Sequence, residues 1–210
     1  MSAYGIAAER VLAEFPDALI TEVADGWEDR WREFHHPVRV GSLWVGPPWE
    51  ARPADALAVV IDPGRAFGTG AHPSTRLCLE LLLGETPGSV LDVGCGSGVI
   101  SIAAAKLGFQ PVIAIDFEEA AVEVAAGNAQ ANGVELDVRL ADATEDDLPE
   151  TGLVIANISL AAVEAAGPRF VADRAITAGY LVRDEPALPG FRRLERRELD
   201  GWAADLFARD

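Results

Sequence analysis

The sequence is poor in the residues that build disulfide frameworks and zinc sites. It contains two cysteines, Cys78 and Cys95, and no C-x-x-C pair. Histidine occurs three times, twice as the adjacent pair His35 and His36. Two cysteines are too few for a disulfide framework, and these residues do not match the spacing of a structural zinc site. The sequence therefore predicts a reduced protein without a metal ion, stabilised by an ordinary hydrophobic core.

Long apolar runs and an excess of positive charge are also missing. No apolar run approaches the roughly 18 residues of a membrane span, and the N-terminus lacks the basic start and apolar run of a signal peptide. The chain has 34 acidic and 17 basic residues, a net charge of −17. This charge disfavours direct binding to nucleic acid and favours a basic partner, although it also serves solubility. We therefore expect a cytoplasmic protein that binds neither membranes nor nucleic acid.

One stretch organises the chain, the sequence SVLDVGCGSG at residues 89–98. It predicts a short buried strand, a glycine-rich turn and then a helix over residues 99–107. Gly94, Gly96 and Gly98 have no Cβ, so a ligand can approach the backbone closely. The turn leads into a helix N-terminus, whose free N–H groups favour negatively charged ligand atoms. This arrangement predicts a small-molecule pocket at the end of the strand.

The spacing of the glycines and a second strand narrow the choice of ligand. The dinucleotide fingerprint is G-x-G-x-x-G, whereas this turn reads G-x-G-x-G and has Val99 in place of the third glycine. A strand over residues 111–116 ends in Asp116, 22 residues after Gly94. A carboxylate there can accept hydrogen bonds from both hydroxyls of a ribose; the alternative is a residue that caps the following helix. Together the two signals favour a nucleoside ligand over a nicotinamide dinucleotide.

The remaining patterns alternate between strands and helices. Gly133 ends a helix that follows Asp116, and Asp200-Gly201 predicts a hairpin between residues 192–199 and 202–208. The loop at residues 62–70 is glycine-rich and fits either a mobile lid or a plain connection. The patterns predict an α/β fold, a mostly parallel sheet with an antiparallel C-terminal hairpin. The other predicted strands are 17–23, 38–45, 57–61, 135–140, 153–157 and 179–182, and the other helices are 4–16, 26–34, 76–83 and 159–166.

Several motifs together resemble one branch of the class I methyltransferases. Residues 62–75 read D-P-G-x-A-F-G-T-G-x-H-P-S-T, and LDVGCGSG, AID and IANIS follow at 91–98, 114–116 and 155–159. With Trp27 and Trp31 upstream, this set is similar to the PrmA-type enzymes, which methylate large-subunit ribosomal protein eleven. The resemblance covers about residues 25–183. It implies a Rossmann-like class I methyltransferase fold that binds S-adenosyl-L-methionine and methylates amines of a basic protein substrate.

The resemblance also implies roles for particular residues. Asp116 would hold the ribose, Asp142 would lie near the adenine, and Gly94 would pack against the cofactor. Asn157 would be the catalytic residue, placed where the methyl group meets the incoming amine; the alternative is a turn residue at a strand end. His72 is expected to anchor its loop and is not assigned as a base. The full set of expected cofactor-binding residues is Phe67, Gly68, Thr69, Gly70, Thr75, Asp92, Gly94, Gly96, Asp116, Asp142 and Asn157.

Two departures from the family pattern shape the expected domains and substrate. The family has a complete small α+β domain before Trp27, where this sequence has 26 residues, and the stretch RDEPALPG at 183–190 replaces a helix. We therefore expect a truncated N-terminal segment and linker at 1–56 and a catalytic domain at 57–210. The expected function is protein N-methylation, with ribosomal protein eleven as one candidate substrate. The alternatives are methylation of another protein or a small amine, and a cofactor-binding protein without turnover.

Overall fold

The computed structural model describes residues 36–62 and 70–210. One compact unit spans residues 35–210. The predicted elements at 4–16, 17–23 and 26–34 lie outside the described residues, as does the tryptophan pair at 27 and 31. The division into domains at residue 56 stays a prediction.

A small three-stranded sheet comes first in the described chain. Strand β1 (Val38–Val40) pairs antiparallel with β2 (Leu43–Gly46), and β2 pairs parallel with β3 (Leu57–Val60). The prediction of one continuous strand over 38–45 was wrong, because the backbone turns at Gly41 and Ser42. The residues that flank this turn are apolar, so the pattern alone hides the break.

The main sheet has seven strands in the order β6-β5-β4-β7-β8-β10-β9. Only β10 runs antiparallel to its neighbours, β8 and β9. The predicted mostly parallel sheet with an antiparallel C-terminal hairpin is thereby confirmed. The strands are β4 (Val90–Val93), β5 (Val112–Asp116), β6 (Asp137–Leu140), β7 (Thr151–Asn157), β8 (Ala172–Leu181), β9 (Phe191–Leu199) and β10 (Trp202–Arg209).

Strand β8 is the largest difference from the expected elements. It begins at Ala172, seven residues before the predicted start at Gly179, and pairs with β7 from Ala172 to Ala178. The exposed Asp173 and half-buried Arg174 interrupt the apolar pattern near its start. Arg174 forms an ion pair of 2.6 Å with Glu85, and this contact between distant residues explains a charge within a central strand.

Within residues 36–62 and 70–210, four helices and one short 3₁₀ turn flank the sheet. Helix α3 ends at Asn132 with Gly133 as its left-handed cap, as predicted, and Ser159 caps α4 through its side chain. Among residues 36–62 and 70–210, none of the helices has both the length and the apolar character needed to span a bilayer. The helices are α1 (Pro73–Leu82), α2 (Val99–Lys106), α3 (Glu119–Asn132) and α4 (Leu160–Ala166), and the 3₁₀ turn is Gly167–Arg169.

The hydrophobic core lies on both faces of the main sheet. Successive residues of β4 alternate between two clusters, with Val90 packing towards α1 and α2 and Leu91 packing on the opposite face. All four residues of β4 are buried, as expected for a parallel strand covered on both sides. The link at 182–190 has no helix, and its Leu188 packs into the second cluster. The carboxyl ends of the parallel strands therefore meet at one edge of a rigid sheet.

Candidate functional site

The predicted site residues follow the ends of neighbouring strands at this edge. Gly94 follows β4, Asp116 ends β5, Asp142 lies two residues beyond β6, and Asn157 ends β7. A cavity of about 440 Å³ opens there, and Gly94, Asp116 and Asp142 are among the residues that line it. A cavity of this size falls within the range of small-molecule sites. The lining residues are Val93, Gly94, Ile115, Asp116, Phe117, Ala141, Asp142, Ala143, Thr144, Ile158, Ser159, Ala162 and Ala166.

Both carboxylate oxygens of Asp116 accept backbone hydrogen bonds. Gly96 N–H donates to Oδ2 at 2.9 Å, and Glu118 N–H donates to Oδ1 at 3.0 Å. The carboxylate thus turns the chain into α3 and holds the glycine turn beside β5. The two interpretations of Asp116, a ligand-binding acid and a residue that starts the next helix, are compatible in this geometry. Each carboxylate oxygen has a further lone pair with which to accept a ligand hydroxyl.

Asp92 lies behind the glycine turn and is not among the residues that line the cavity. Its Oδ2 accepts hydrogen bonds from Ser101 Oγ at 2.5 Å and Ser101 N–H at 3.1 Å. Ser101 belongs to the first turn of α2, so one N–H group expected to face a ligand instead binds the chain's own acid. Burial, with a smaller contribution from Asp116, raises the pKa of Asp92 to about 6 against the stabilising bonds from Ser101.

The raised pKa of Asp92 predicts a specific pH dependence of stability. Between about pH 4 and pH 6 the folded protein binds more protons than the unfolded chain, so the free energy of unfolding falls as pH rises. Above pH 6 the buried charge lowers stability by about 3 kcal/mol. Asp92→Asn, which does not ionise, should therefore gain stability relative to the wild type as pH rises from 4 to 6. Urea unfolding at each pH measures this difference, and a difference that stays constant with pH would contradict the assignment.

Ile158 is held between two glycines. A Cβ on Gly94 would lie 2.4 Å from Ile158 Cγ2, and a Cβ on Gly179 would lie 2.0 Å from Ile158 O. Both glycines also have positive φ, 70° and 98°, which other residues rarely adopt. The residue after Asn157 therefore fits only because Gly94, which follows β4, and Gly179 of β8 have no side chains there. The sequence pattern contained Gly94 in a motif but gave no signal for Gly179.

Gly179→Ala should destabilise the protein by about 2–4 kcal/mol, because it combines backbone strain with a clash against Ile158 O. Gly190→Ala is the matched control, since Gly190 has φ of 79° and a methyl group added there would meet no atom within 4 Å. The control should lose only the strain, about 1–2 kcal/mol. Urea unfolding of both variants separates the two contributions. Equal losses would show that the contact with Ile158 O is unimportant.

Asn157 and Thr75, separated by 82 residues in sequence, contact each other at the carboxyl end of β7, although neither is among the residues that line the cavity. Asn157 Nδ2 donates to Thr75 Oγ1 at 3.1 Å. Thr75 is buried in the first turn of α1, whereas Asn157 is half-buried. The bond orients the amide, and its carbonyl oxygen Oδ1 has no hydrogen-bond partner among residues 36–62 and 70–210. That oxygen can accept a hydrogen from an incoming amine.

His72 caps α1, which agrees with its expected anchoring role. Its Nδ1 accepts from Ser74 N–H at 3.3 Å and lies 2.8 Å from Ser74 Oγ, and its ring stands edge-on to Trp202 at 4.5 Å between centroids. Burial lowers the pKa of His72. The neutral imidazole is the form that can accept the capping bond, so the environment and the cap favour the same protonation state.

Two further predicted residues, Gly96 and Gly70, are not among the residues that line the cavity. Gly96 reaches the site through its bond to Asp116, and Gly70 lies beside Val45 and Val99. Phe67, Gly68 and Thr69 lie outside the described residues. No group of three His, Cys, Asp or Glu residues is placed to hold a metal ion within the described part of the chain.

Sequence reasoning missed several residues that line the cavity. Phe117 directly follows Asp116 and is 70% exposed, which is unusual for a large apolar side chain. Thr144 donates through both N–H and Oγ1 to Asp142 Oδ1, at 2.8 and 2.6 Å, and these bonds lower the pKa of Asp142. Because Phe117 directly follows a strand-end acid, the sequence could have predicted that it lines the cavity. The hydrogen bonds of Thr144 could not be predicted from the sequence, because they form only in the folded turn.

The fold and site together define a class I methyltransferase: one antiparallel strand near the edge of a parallel sheet, a glycine turn after β4 and an acid at the end of β5. A family model described as ribosomal protein L11 methyltransferase (PrmA) matches residues 6–181. The chain belongs to this family.

Relatives and a solved structure agree with this assignment. The ribosomal protein L11 methyltransferase of Shewanella sediminis is 37% identical over 198 residues, covering 91% of this chain and 65% of the relative. That of Actinobacillus pleuropneumoniae is 40% identical over 172 residues, covering 79% and 58%. The crystal structure of ribosomal protein L11 methylase from Lactobacillus delbrueckii subsp. bulgaricus has a TM-score of 0.77 at 26% identity, covering 83% of this chain and 99% of that one. The chain thus spans 58 to 65% of the length of these two curated relatives.

Proposed function

We propose that the chain is an S-adenosyl-L-methionine-dependent protein N-methyltransferase whose substrate is ribosomal protein L11. One observation carries the proposal. A cavity lined by Gly94, Asp116 and Asp142 opens at the sheet edge where Asn157 is oriented by Thr75. A nucleoside site and an amine-orienting amide are the two parts that methyl transfer to nitrogen requires.

The residues around the cavity fit S-adenosyl-L-methionine. Asp116 offers further lone pairs for the two ribose hydroxyls, and its carboxylate is fixed by two N–H donors. Gly94 lines the cavity, and its lack of a side chain makes room for Ile158, which lines the cavity beside it. The apolar part of the lining suits the faces of a planar base, and it consists of Val93, Ile115, Phe117, Ala141, Ala143, Ile158, Ala162 and Ala166.

The protein's chemical task is mainly to position the amine. When bound, S-adenosyl-L-methionine supplies a methyl group that its sulfonium charge already activates. Asn157 Oδ1 accepts a hydrogen bond from the amine and so directs the nitrogen lone pair into line. Thr75 Oγ1 keeps the amide in this orientation by accepting from Nδ2. Positioning of this kind accounts for a large part of the acceleration of reactions between two bound groups.

The reacting amine must also be neutral. A lysine with a pKa of about 10.4 is neutral in only about one molecule in 2,500 at pH 7, which costs about 4.6 kcal/mol. An α-amino group with a pKa of about 8 costs only about 1.4 kcal/mol. A site that excludes water disfavours the ammonium form and lowers this cost. The reaction should therefore accelerate with pH for a lysine over a wider range than for an α-amino group.

The choice of substrate is supported by the family and by charge. The relatives are named for ribosomal protein L11, and a chain with a net charge of −17 attracts a basic protein. Both cysteines are buried and free, which suits the reducing cytoplasm where ribosomes work. Because this chain spans only part of the length of its relatives, the identity of the substrate is the part of the proposal that most needs a direct test.

The test is transfer of labelled methyl from S-adenosyl-L-methionine to purified ribosomal protein L11, with cofactor binding measured by calorimetry in parallel. Binding with labelling would support the whole proposal. Binding without labelling would redirect the search to another basic protein or a small amine, and failure on all of them would indicate a cofactor-binding protein without turnover. Absence of binding would refute the assignment of Gly94 and Asp116.

A further inference from the structure

Two asparagines one turn apart on α3 bind the backbone at the end of β3. Asn132 Oδ1 accepts from Val60 N–H at 2.9 Å, and its Nδ2 donates to Val60 O at 2.6 Å. Asn128 Oδ1 accepts from Asp62 N–H at 3.1 Å, and its Nδ2 lies 3.5 Å from Asp62 O. Residues four apart on a helix share one face, and residues two apart on an extended chain share one side. The two amides therefore bind the backbone at the end of β3 with the donor and acceptor groups that the backbone of a neighbouring strand would supply.

Only Asn128 also contacts the glycine turn. Its Nδ2 donates to Ser97 O at 2.9 Å, and both residues are buried. Ser97 lies between Gly96, whose N–H donates to Asp116, and Gly98, which is the N-cap of α2. A continuous set of hydrogen bonds thus joins the end of β3, helix α3 and the turn beside the cavity. Asn132, by contrast, contacts β3 without contacting the turn.

An amide is the group that these contacts require. Ser97 O needs a donor, Asp62 N–H needs an acceptor, and the site is 4% exposed at Asn128, so water is a poor substitute for either. A carboxylate would satisfy Asp62 N–H but not Ser97 O. An alkyl side chain would lose the hydrogen bonds to both residues.

We propose that Asn128 is a positioning residue for the cofactor site: it fixes the glycine turn through Ser97 and links that turn to the segment after β3. The proposal rests on the proposed function, namely that this turn binds S-adenosyl-L-methionine. Asn128 acts through the backbone of residues 96–98 and not by touching the ligand. The Asn132 side chain attaches β3 to α3 and also donates to Asn128 O within the helix, and it has no hydrogen bond to the glycine turn.

The chain offers a matched pair of variants. Asn128→Asp and Asn132→Asp each keep an acceptor oxygen, lose an amide donor and add one carboxylate at neighbouring turns of α3. Calorimetry should show affinity for S-adenosyl-L-methionine weakened about tenfold or more in Asn128→Asp, as expected for the loss of one supporting hydrogen bond. Asn132→Asp should bind within about threefold of the wild type, although both variants should unfold at a lower temperature.

Hydrogen exchange provides a second readout that needs no cofactor. The N–H groups of Gly96 and Gly98 donate to Asp116 Oδ2 and Cys95 O, and both should exchange faster in Asn128→Asp but not in Asn132→Asp. A purely structural role would raise exchange in both variants alike. This measurement tests Asn128 even if the wild type fails to bind S-adenosyl-L-methionine, a result that would refute only the proposed function.

The outcomes that overturn the inference are specific. If Asn128→Asp retains affinity within twofold of the wild type, or Asn132→Asp loses as much affinity, the glycine turn does not depend on Asn128. Asn128→Ala, which adds no charge, is the second variant and should give the same pattern against Asn132→Ala. If neither Asn128 variant folds while both Asn132 variants do, Asn128 is a residue of the core and the proposal is wrong.

Discussion

Asn157→Ala should lower the rate of methyl transfer on the order of 100-fold and leave the affinity for S-adenosyl-L-methionine within about threefold. The variant loses the oxygen that orients the amine in the proposed mechanism, whereas the carboxylate of Asp116 and the glycine turn are untouched. Single-turnover kinetics with a validated substrate measures the rate, and calorimetry measures the affinity. A normal rate in a folded variant would show that Asn157 is only a residue of the turn after β7.

A second variant separates orientation from packing at this position. Asn157→Asp keeps the shape of the side chain but places a negative charge beside the amine. A carboxylate stabilises the ammonium form and raises the pKa of the amine, so the rate should reach its plateau at higher pH than in the wild type. A residue with only a structural role would leave the pH profile of the rate unchanged.

Asp116→Ala should weaken binding of S-adenosyl-L-methionine by at least about 100-fold. Two hydrogen bonds to a charged acceptor contribute about 3–6 kcal/mol, and each 1.4 kcal/mol is a factor of ten. The variant also removes the acceptors for Gly96 N–H and Glu118 N–H, which adds to the loss. Calorimetry measures the affinity directly, and an unchanged value would exclude Asp116 from the cofactor site.

Two controls isolate the contribution of the ribose. Glu118→Gln removes one negative charge from an exposed residue two positions after Asp116 and should leave affinity unchanged, because Glu118 does not line the cavity. A cofactor analogue without the ribose hydroxyls should bind the wild type more weakly than the natural cofactor does. In Asp116→Ala, the analogue and the natural cofactor should bind with the same affinity. If the analogue loses the same affinity in both proteins, the hydroxyls do not meet this carboxylate.

The sequence predicted those site residues whose chemistry and local sequence pattern point to the same role. Gly94 and Asp116 follow apolar runs, and because such runs form parallel strands, their ends had to converge at one edge of the sheet. The resemblance to a known family supplied Thr75 and Asn157, and the structure joins these two by a hydrogen bond. The roles assigned to individual site residues stay predictions until binding and turnover are measured.

Contacts between distant residues were beyond the reach of local pattern. Asn128 and Asn132 read only as the end of a helix, because their partners at 60 and 62 lie about 70 positions earlier in the chain. Gly179 gave no signal, since its constraint is the carbonyl of Ile158, which lies just after β7. The start of β8 was missed for the same reason, because the charge of Arg174 is explained by Glu85, which lies 89 positions earlier, in the turn after α1.

The two hydrogen bonds that Asp116 accepts from backbone N–H groups have a thermodynamic consequence. Both are made within the chain, so the turn at Gly96 loses its conformational entropy when the protein folds and not when a nucleoside binds. Association then carries a smaller entropic penalty from this segment, and more of the contact energy appears as affinity. A protein that orders its turn in advance in this way can hold a small cofactor tightly with few direct polar contacts.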